Sequence, residues 1–239
     1  MPKVVITPVS PDEKAGRWDA AYAQRGVEGV SWYQPVPAVS LELIEALGVP
    51  RTAAVIDVGG GASLLADKLV RRGFSDVTVL DIASSALDAT RQRIGARASV
   101  SFVQADLLTW RPSRRYDLWH DRAVFHFLVT DADRETYART LREAVAPGGA
   151  VILATFAPDG PATCSGLPVL RYSIDDLGEI LGGTFDQLES LREEHITPRG
   201  STQPFTGSRT VSALVSKPRR PSTSRGGFLT YSFWQSDPS

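Results

Sequence analysis

The chain has 239 residues, an apolar fraction of 42%, a net charge of −1 and a single cysteine, Cys164. That length predicts one domain with a sizeable core, and the near-zero charge gives no field that calls for nucleic acid or an acidic membrane. One cysteine excludes an internal disulfide and suits a reducing compartment. No apolar run approaches the roughly 20 residues of a membrane span. Met1 to Ser10, interrupted by Pro2 and Pro8, lacks a signal-peptide core, so the expected location is cytoplasmic. Three histidines and one cysteine, widely spread, show no zinc spacing, and no metal is expected.

In chain order, residues 1–14 read as a loose lead-in, and a helix is expected around Arg17–Tyr22. Gly26, Gly29 and the aromatic segment Ser31-Trp32-Tyr33-Gln34-Pro35 follow. A helix from about Val39 to Leu47 stops at Gly48 and Pro50. From Ala53 the chain alternates, with strands expected over 53–58, 77–81, 99–103, 116–120 and 149–156 and helices over about 62–72, 84–94 and 132–146. That alternation implies a parallel sheet covered on both faces. Residues 157–168 are rich in Pro and Gly and read as a loop. Ser173 with Asp175 and Asp176 starts a helix whose apolar face is Leu177, Ile180 and Leu181. Two more strands are expected near 184–194 and 208–216. Residues 218–239 open on a Pro-, Arg- and Ser-rich run that reads as disordered, although Phe228–Trp234 is apolar enough to dock on the body or on a partner. Three parts result: an N-terminal segment over 1–50, a ligand-binding domain over 51–217 and a tail over 218–239.

The most informative stretch is Val55-Ile56-Asp57-Val58-Gly59-Gly60-Gly61-Ala62-Ser63. An apolar strand ends in an acid, a glycine turn follows, and a helix begins at Leu64. Glycines let a backbone lie against a nucleotide-like ligand, because a Cβ would hold it off and the turn needs φ > 0. The acid before them repels phosphate and argues against a pyrophosphate at this turn. Two further apolar runs also end in acids, Val77–Asp81 and Ser99–Asp106. Ligands of open parallel sheets bind outside the carboxyl ends of the strands, so three acids converge on one crevice. Asp81 lies roughly 20 residues beyond the glycines, where an acid grips ribose hydroxyls. Asp106 is placed to accept a hydrogen bond from an exocyclic amine.

Asp57-Val58-Gly59-Gly60-Gly61, Asp81, Gln104-Ala105-Asp106 and Pro147-Gly148-Gly149 resemble, in order and spacing, the motifs of class I S-adenosylmethionine-dependent methyltransferases. The resemblance covers roughly residues 15–216. It implies a three-layer α/β/α sandwich around a seven-stranded, mostly parallel sheet closed by an antiparallel C-terminal hairpin, with S-adenosyl-L-methionine as cofactor. It implies that Gly59, Gly60 and Gly61 approach the methionine part, that Asp81 with Ile82 holds the ribose, and that Asp106 with Leu107 reads the adenine. Asp57, Ser63, His120 and Trp32 complete the expected cofactor site. Ser63 stands where the family usually has another glycine.

The exit of the fourth strand, Trp119-His120-Asp121-Arg122-Ala123-Val124-Phe125-His126, lies beside the transferred methyl in the family. A strand ending in His-Asp-Arg is costly unless these groups are paired. Asp121 and Arg122 are therefore candidate catalytic residues, Arg122 for an anionic group of the substrate, and His126 is a candidate base. The competing reading is a structural Asp121–Arg122 network with His126 on a helix surface. Trp32, Tyr33 and Gln34 suit a lid whose aromatic faces favour a sulfonium, while Trp18 is expected to pack its helix on the sheet. Cys164 has no adjacent base and is expected to line the substrate pocket, and His195 to lie near the site mouth. The acceptor implied is a small molecule, with a protein lysine as the alternative; nothing in the sequence fixes an oligomeric state. A nicotinamide oxidoreductase is disfavoured, since Leu64 stands where its third glycine belongs. A non-catalytic cofactor-binding module has less use for the polar exit of the fourth strand.

Overall fold

The computed structural model describes residues 10–95, 100–181 and 185–212. The expectations for 1–9, for the start of the third strand at residue 99, for 213–216 and for the 218–239 tail lie outside them. Helix α1 (Pro11–Gly29) opens with a capping box: Ser10 Oγ accepts from Glu13 N–H at 3.2 Å and the Glu13 carboxylate accepts from Ser10 N–H at 2.9 Å. Residues 11–14 are therefore helical rather than part of a loose lead-in, and the helix kinks at Gly26, whose φ is 67°. Helix α2 (Ala38–Leu47) ends at Gly48 in the left-handed region. The alternating part follows as β1 (Ala54–Val58), α3 (Leu65–Arg71), β2 (Asp76–Asp81), α4 (Ser84–Ile94), β3 (Val100–Gln104), β4 (Tyr116–Arg122), a 3-10 turn (Phe125–Phe127), α5 (Asp131–Ala144) and β5 (Val145–Phe156). The C-terminal part adds the two-residue strands β6 (Thr163–Cys164) and β7 (Leu167–Pro168), helix α6 (Ile174–Leu181), β8 (Phe185–Ile196) and β9 (Thr202–Ser212).

Seven strands join in the order β3-β2-β1-β4-β5-β9-β8. β1 to β5 pair in parallel, and β9 runs antiparallel to both β5 and β8. The sheet is the expected one, with three local differences. The loop over 157–168 holds the separate β6–β7 ribbon. β5 begins at Val145, which pairs with Tyr116 across a register shift, so Pro147-Gly148-Gly149 lies within an extended run instead of before it. β9 begins at Thr202 rather than near 208, because Pro204 and Gly207 break the apolar pattern but not the ladder to β8.

Side chains of a strand alternate between the two faces of its sheet, and that alternation sorts the core. Val55, Leu118 and Ile152 point to the face covered by α2 and α3, where they meet Leu41, Ile44, Leu65 and Leu69. Ile56, Trp119 and Leu153 point to the opposite face and meet Tyr137 and Leu141 of α5 and Leu177 of α6. Both faces are dry, as a parallel sheet requires. The same parity sends Asp57 and His120 to the α2 face and Asp121 to the α5 face. Among the described residues no helix is long and apolar enough to cross a membrane.

Candidate active site

A cavity of about 600 Å³ opens at the carboxyl ends of β1 to β4, within the range of small-molecule and cofactor sites. Gly59, Asp81, Ile82, Asp106 and Leu107, from the ends of β1, β2 and the segment after β3, line it. Phe127, Leu128, Val129, Cys164, Leu167 and Pro168, from later in the chain, line it as well. Lys14, Arg17, Trp18 and Tyr22, spaced as one face of a helix, bring α1 into the wall. Trp18 therefore does more than pack its helix. It stands edge-on to Trp32 at 5.6 Å and to Phe127 at 5.1 Å, and Trp32 Nε1–H donates to the Tyr22 hydroxyl at 3.2 Å. A second pocket of about 50 Å³ lies behind the glycine turn, bounded by Trp32, Ser40, Asp57, Gly60, Ser63 and His120.

The glycine turn has the shape that its sequence implies. Gly59 has φ 66°, and a Cβ there would stand 2.0 Å from Val124 Cγ2. On Gly60 it would stand 2.5 Å from Asp57 Oδ2, and on Gly61 2.6 Å from Asp81 Oδ2. The backbone thus lies directly on the two carboxylates. Asp81 Oδ1 accepts from Ala83 N–H at 2.8 Å. Loss of solvation, with the charge of Asp57 adding to it, pushes the Asp81 carboxyl up to about 7. Asp106 accepts from Leu108 N–H at 3.0 Å and pairs with Lys14 Nζ at 2.9 Å, a partner that sequence did not suggest. Ser63 Oγ accepts from Leu65 N–H at 3.1 Å at the start of α3. These residues fit S-adenosylmethionine: two strand-end acids for a polar nucleoside, and a turn where any side chain would intrude.

The three polar residues that end β4 go three ways. His120 joins Asp57, its neighbour across β1–β4, with Nδ1 2.8 Å from Oδ1, and its Nε2 lies 2.9 Å from Ser40 Oγ of α2. Asp57 Oδ2 is buried and has no partner. Asp121, on the opposite face, accepts from Val124 N–H at 3.0 Å, from Phe125 N–H at 3.4 Å and from the Tyr137 hydroxyl at 2.8 Å. It pins the turn that leaves β4, and burial raises its carboxyl to about 6. Arg122 edges the cavity, but its guanidinium donates twice to Glu193, at 3.2 and 2.9 Å, and lies 4.2 Å over the Phe205 ring. Gln34 Nε2–H donates to the same Glu193 at 2.7 Å. No Asp121–Arg122 pair forms, because consecutive strand residues face opposite sides.

His126 is neither on the cavity wall nor on a helix surface. It is wholly buried, with Phe127 at 4.5 Å and Phe156 at 4.6 Å, and neither ring nitrogen has a partner. Burial lowers its imidazole to about 3. His195 is buried as well, with Nε2 2.7 Å from the Ser31 carbonyl oxygen. Cys164 lines the cavity, and burial raises its thiol to about 11. Ala123, on the same wall, has φ 74°, a conformation that is costly for alanine and is kept most often at functional sites. Sequence reasoning missed Lys14, Arg17 and Tyr22 of the wall, although their spacing with Trp18 was a readable helical stripe. Ser40 and Glu193 carried no such signal.

A parallel sheet with this strand order and an antiparallel C-terminal hairpin make up the fold of class I S-adenosylmethionine-dependent methyltransferases, and the glycine turn between strand-end acids fits S-adenosylmethionine. A family model described as a methyltransferase domain matches residues 55–149. The chain is similar to malonyl-(acyl-carrier protein) O-methyltransferase 2 of Ilyobacter polytropus, 21% identical over 70% of this chain and 69% of that one. It is 28% identical to thiocyanate methyltransferase 1 of Arabidopsis thaliana over 63% of this chain and 66% of that one. A solved 1,6-didemethyltoxoflavin-N1-methyltransferase of Burkholderia thailandensis, with bound 1,6-didemethyltoxoflavin and S-adenosylhomocysteine, superposes with a TM-score of 0.66 at 21% identity. That superposition covers 87% of this chain and 93% of that one.

Proposed function

We propose that the protein transfers a methyl group from S-adenosylmethionine to a small-molecule nucleophile held against the apolar side of the cavity. The observation that carries this reading is the mixed lining of one cavity, where Asp81 and Asp106 share the wall with Phe127–Val129, Leu167 and Pro168. When bound, the cofactor supplies a methyl carbon already activated by a sulfonium. Asp81 is proposed to accept from the ribose hydroxyls and Asp106 from the adenine amine, with Lys14 sharing or leaving that carboxylate. Ile82 and Leu107 would flank the adenine, and Asp57 and the glycine turn would take the amino-acid end. Trp18, Trp32 and Phe127 would exclude water and could offer a ring face toward a sulfonium.

Little on the acceptor side can take a proton. Cys164 remains a thiol at neutral pH, His126 is out of reach, and Arg122 is held by Glu193. Asp133 is the carboxylate on that side. An acceptor that brings its own lone pair, as a thiolate, an unprotonated amine or a carboxylate does, needs only alignment from the chain, and an acceptor that arrives protonated has the Asp133 carboxylate beside it. The names of the similar proteins that act on thiocyanate and 1,6-didemethyltoxoflavin support a small-molecule acceptor over a protein lysine, and that of the malonyl-(acyl-carrier protein) O-methyltransferase names a compact acyl group carried on a protein. The lone, buried Cys164 supports work in a reducing compartment such as the cytoplasm.

The test is a screen with methyl-labelled donor against thiols, amines, carboxylic acids and a cell extract separated into small molecules and protein. Label in the small-molecule fraction is expected. Label confined to protein and stable to thioester cleavage would favour the lysine reading. Binding of S-adenosylhomocysteine with no turnover in any fraction would favour a non-catalytic module.

A further inference from the structure

The cluster behind the glycine turn does something that the acids alone do not explain. Asp57, His120 and Ser40 come from β1, β4 and α2, and each is at most 4% exposed. Their contacts form one chain: Asp57 Oδ1 to His120 Nδ1 at 2.8 Å, and His120 Nε2 to Ser40 Oγ at 2.9 Å. A carboxylate cannot donate, so Nδ1 carries the hydrogen, and in a neutral ring Nε2 is then an acceptor for the Ser40 hydroxyl. A carboxylate that orients an imidazole and selects its tautomer is a known device. Here the order runs in reverse, with a hydroxyl fixing the ring and the ring fixing the carboxylate. Held by one oxygen, Asp57 keeps the other, Oδ2, buried and unpartnered under Gly60, on the border of the 50 Å³ pocket.

A buried carboxylate oxygen without a donor is expensive and marks a place where a donor is expected. With the imidazole neutral, the cluster keeps one negative charge, which a cation can balance. We propose that Ser40 is a positioning residue: by donating to His120 Nε2 it holds the Nδ1–H tautomer, and so turns Asp57 Oδ2 toward the α-ammonium of S-adenosylmethionine. This inference rests on the reading that the glycine turn takes the cofactor's amino-acid end. Without the Ser40 hydroxyl the ring is free to carry its hydrogen on Nε2. Asp57 Oδ1 then loses its donor, and the carboxylate loses its fixed plane.

Two ligands separate positioning from mere stability: S-adenosylhomocysteine, which carries the ammonium, and 5′-methylthioadenosine, which keeps the nucleoside thioether but lacks the amino-acid end. In calorimetric titrations of the full chain, Ser40→Ala should weaken S-adenosylhomocysteine about tenfold and leave methylthioadenosine within about twofold. Ser40→Thr, which keeps a hydroxyl, should restore most of the loss. Equal losses for both ligands, or an unchanged S-adenosylhomocysteine affinity, would overturn the proposal. A parent protein that binds neither ligand would instead sink the cofactor reading beneath it. Should Ser40→Ala fail to fold, the parent decides alone. In ¹⁵N-histidine spectra at neutral pH, His120 should show a protonated Nδ1 and a bare Nε2; a protonated Nε2 overturns the assignment.

Discussion

The carboxyl ends of β1 and β2 and the exit of β4 carry the same kinds of residues and use them in opposite ways. At β1, Asp57 gives one oxygen to His120 and leaves the other unpartnered. At β2, Asp81 holds the N–H of Ala83 and stands against Gly61 at the cavity wall. At β4, Asp121 is filled by two backbone N–H groups and the Tyr137 hydroxyl, and Arg122 by both oxygens of Glu193. The first region keeps an acceptor in reserve, whereas in the second the Asp121 carboxylate is filled and the Arg122 charge is paired within the fold. What distinguishes a proposed binding residue from a structural one here is not its type or its place on a strand. It is whether an unpartnered acceptor is left on a residue that lines a cavity, as on Asp57; the unpartnered nitrogens of His126 sit among packed rings instead.

The largest effect should come from breaking the spent side. Both Arg122 and Glu193 have side chains under 10% exposed, so Glu193→Leu strands a buried guanidinium. Loss of one partner of such a pair costs about 3–5 kcal/mol, measured as the shift in urea unfolding. A loss below about 1 kcal/mol would mean that Arg122 finds solvent or another anion, and would return it to the list of groups free to hold a substrate. On the reserved side, Gly60→Ala is conformationally allowed, since Gly60 has no positive φ, but its Cβ meets Asp57 Oδ2 at 2.5 Å and Val79 Cγ1 at 3.0 Å. The chain should fold while S-adenosylhomocysteine affinity falls by about 100-fold. An unchanged affinity would show that Asp57 has no part in the site.

Asp81→Asn sharpens the contrast with a pH signature. Charge-assisted hydrogen bonds are worth about 1.5–3 kcal/mol, so S-adenosylhomocysteine should bind about 10- to 100-fold more weakly. The parent carboxyl titrates near about 7 before ligand enters, and its ionised form is the better acceptor. Parental affinity should therefore rise between pH 6 and 8, and the variant's should not. The ligand-free protein should show the opposite trend in stability. Folded Asp81 keeps a proton up to about 7, whereas the unfolded chain releases it near the ordinary carboxylate value, so stability falls as pH rises across that window. Asn should flatten that fall, read as the melting temperature against pH; a slope unchanged in the variant would assign the proton to another group.

The strands and the glycine turn were legible in the sequence because their causes are local. Val55-Ile56-Asp57-Val58 is apolar on both faces, as a central parallel strand must be, and Gly59-Gly60-Gly61 can be there only for close approach. The partners were not legible, because they come from far along the chain: Glu193 lies 71 residues from Arg122, Ser40 80 from His120, and Lys14 92 from Asp106. The one part of the β4 exit that was readable went unused. Period-two alternation sends Asp121 and Arg122 to opposite layers, which rules out an Asp121–Arg122 network.

His126→Phe should have the smallest effect, and it divides the two regions most directly. A base must reach the cavity and titrate near working pH, and His126 does neither, being wholly buried and held near about 3. Its folded-state value lies below the ordinary imidazole value of about 6.5. The unfolded chain therefore takes up a proton that the folded chain refuses, and stability present above that pH drains away as pH falls toward about 3. Phenylalanine cannot take the proton and removes two unpartnered nitrogens, so stability at pH 8 should be equal or slightly higher. The midpoint of acid unfolding should move to lower pH. Once an acceptor is in hand, the pH–rate profiles of parent and variant should have the same shape. If a parental limb near 6.5 disappeared in the variant, His126 would be reaching the substrate after all, and the division between a reserved end and a spent one would fail at that residue.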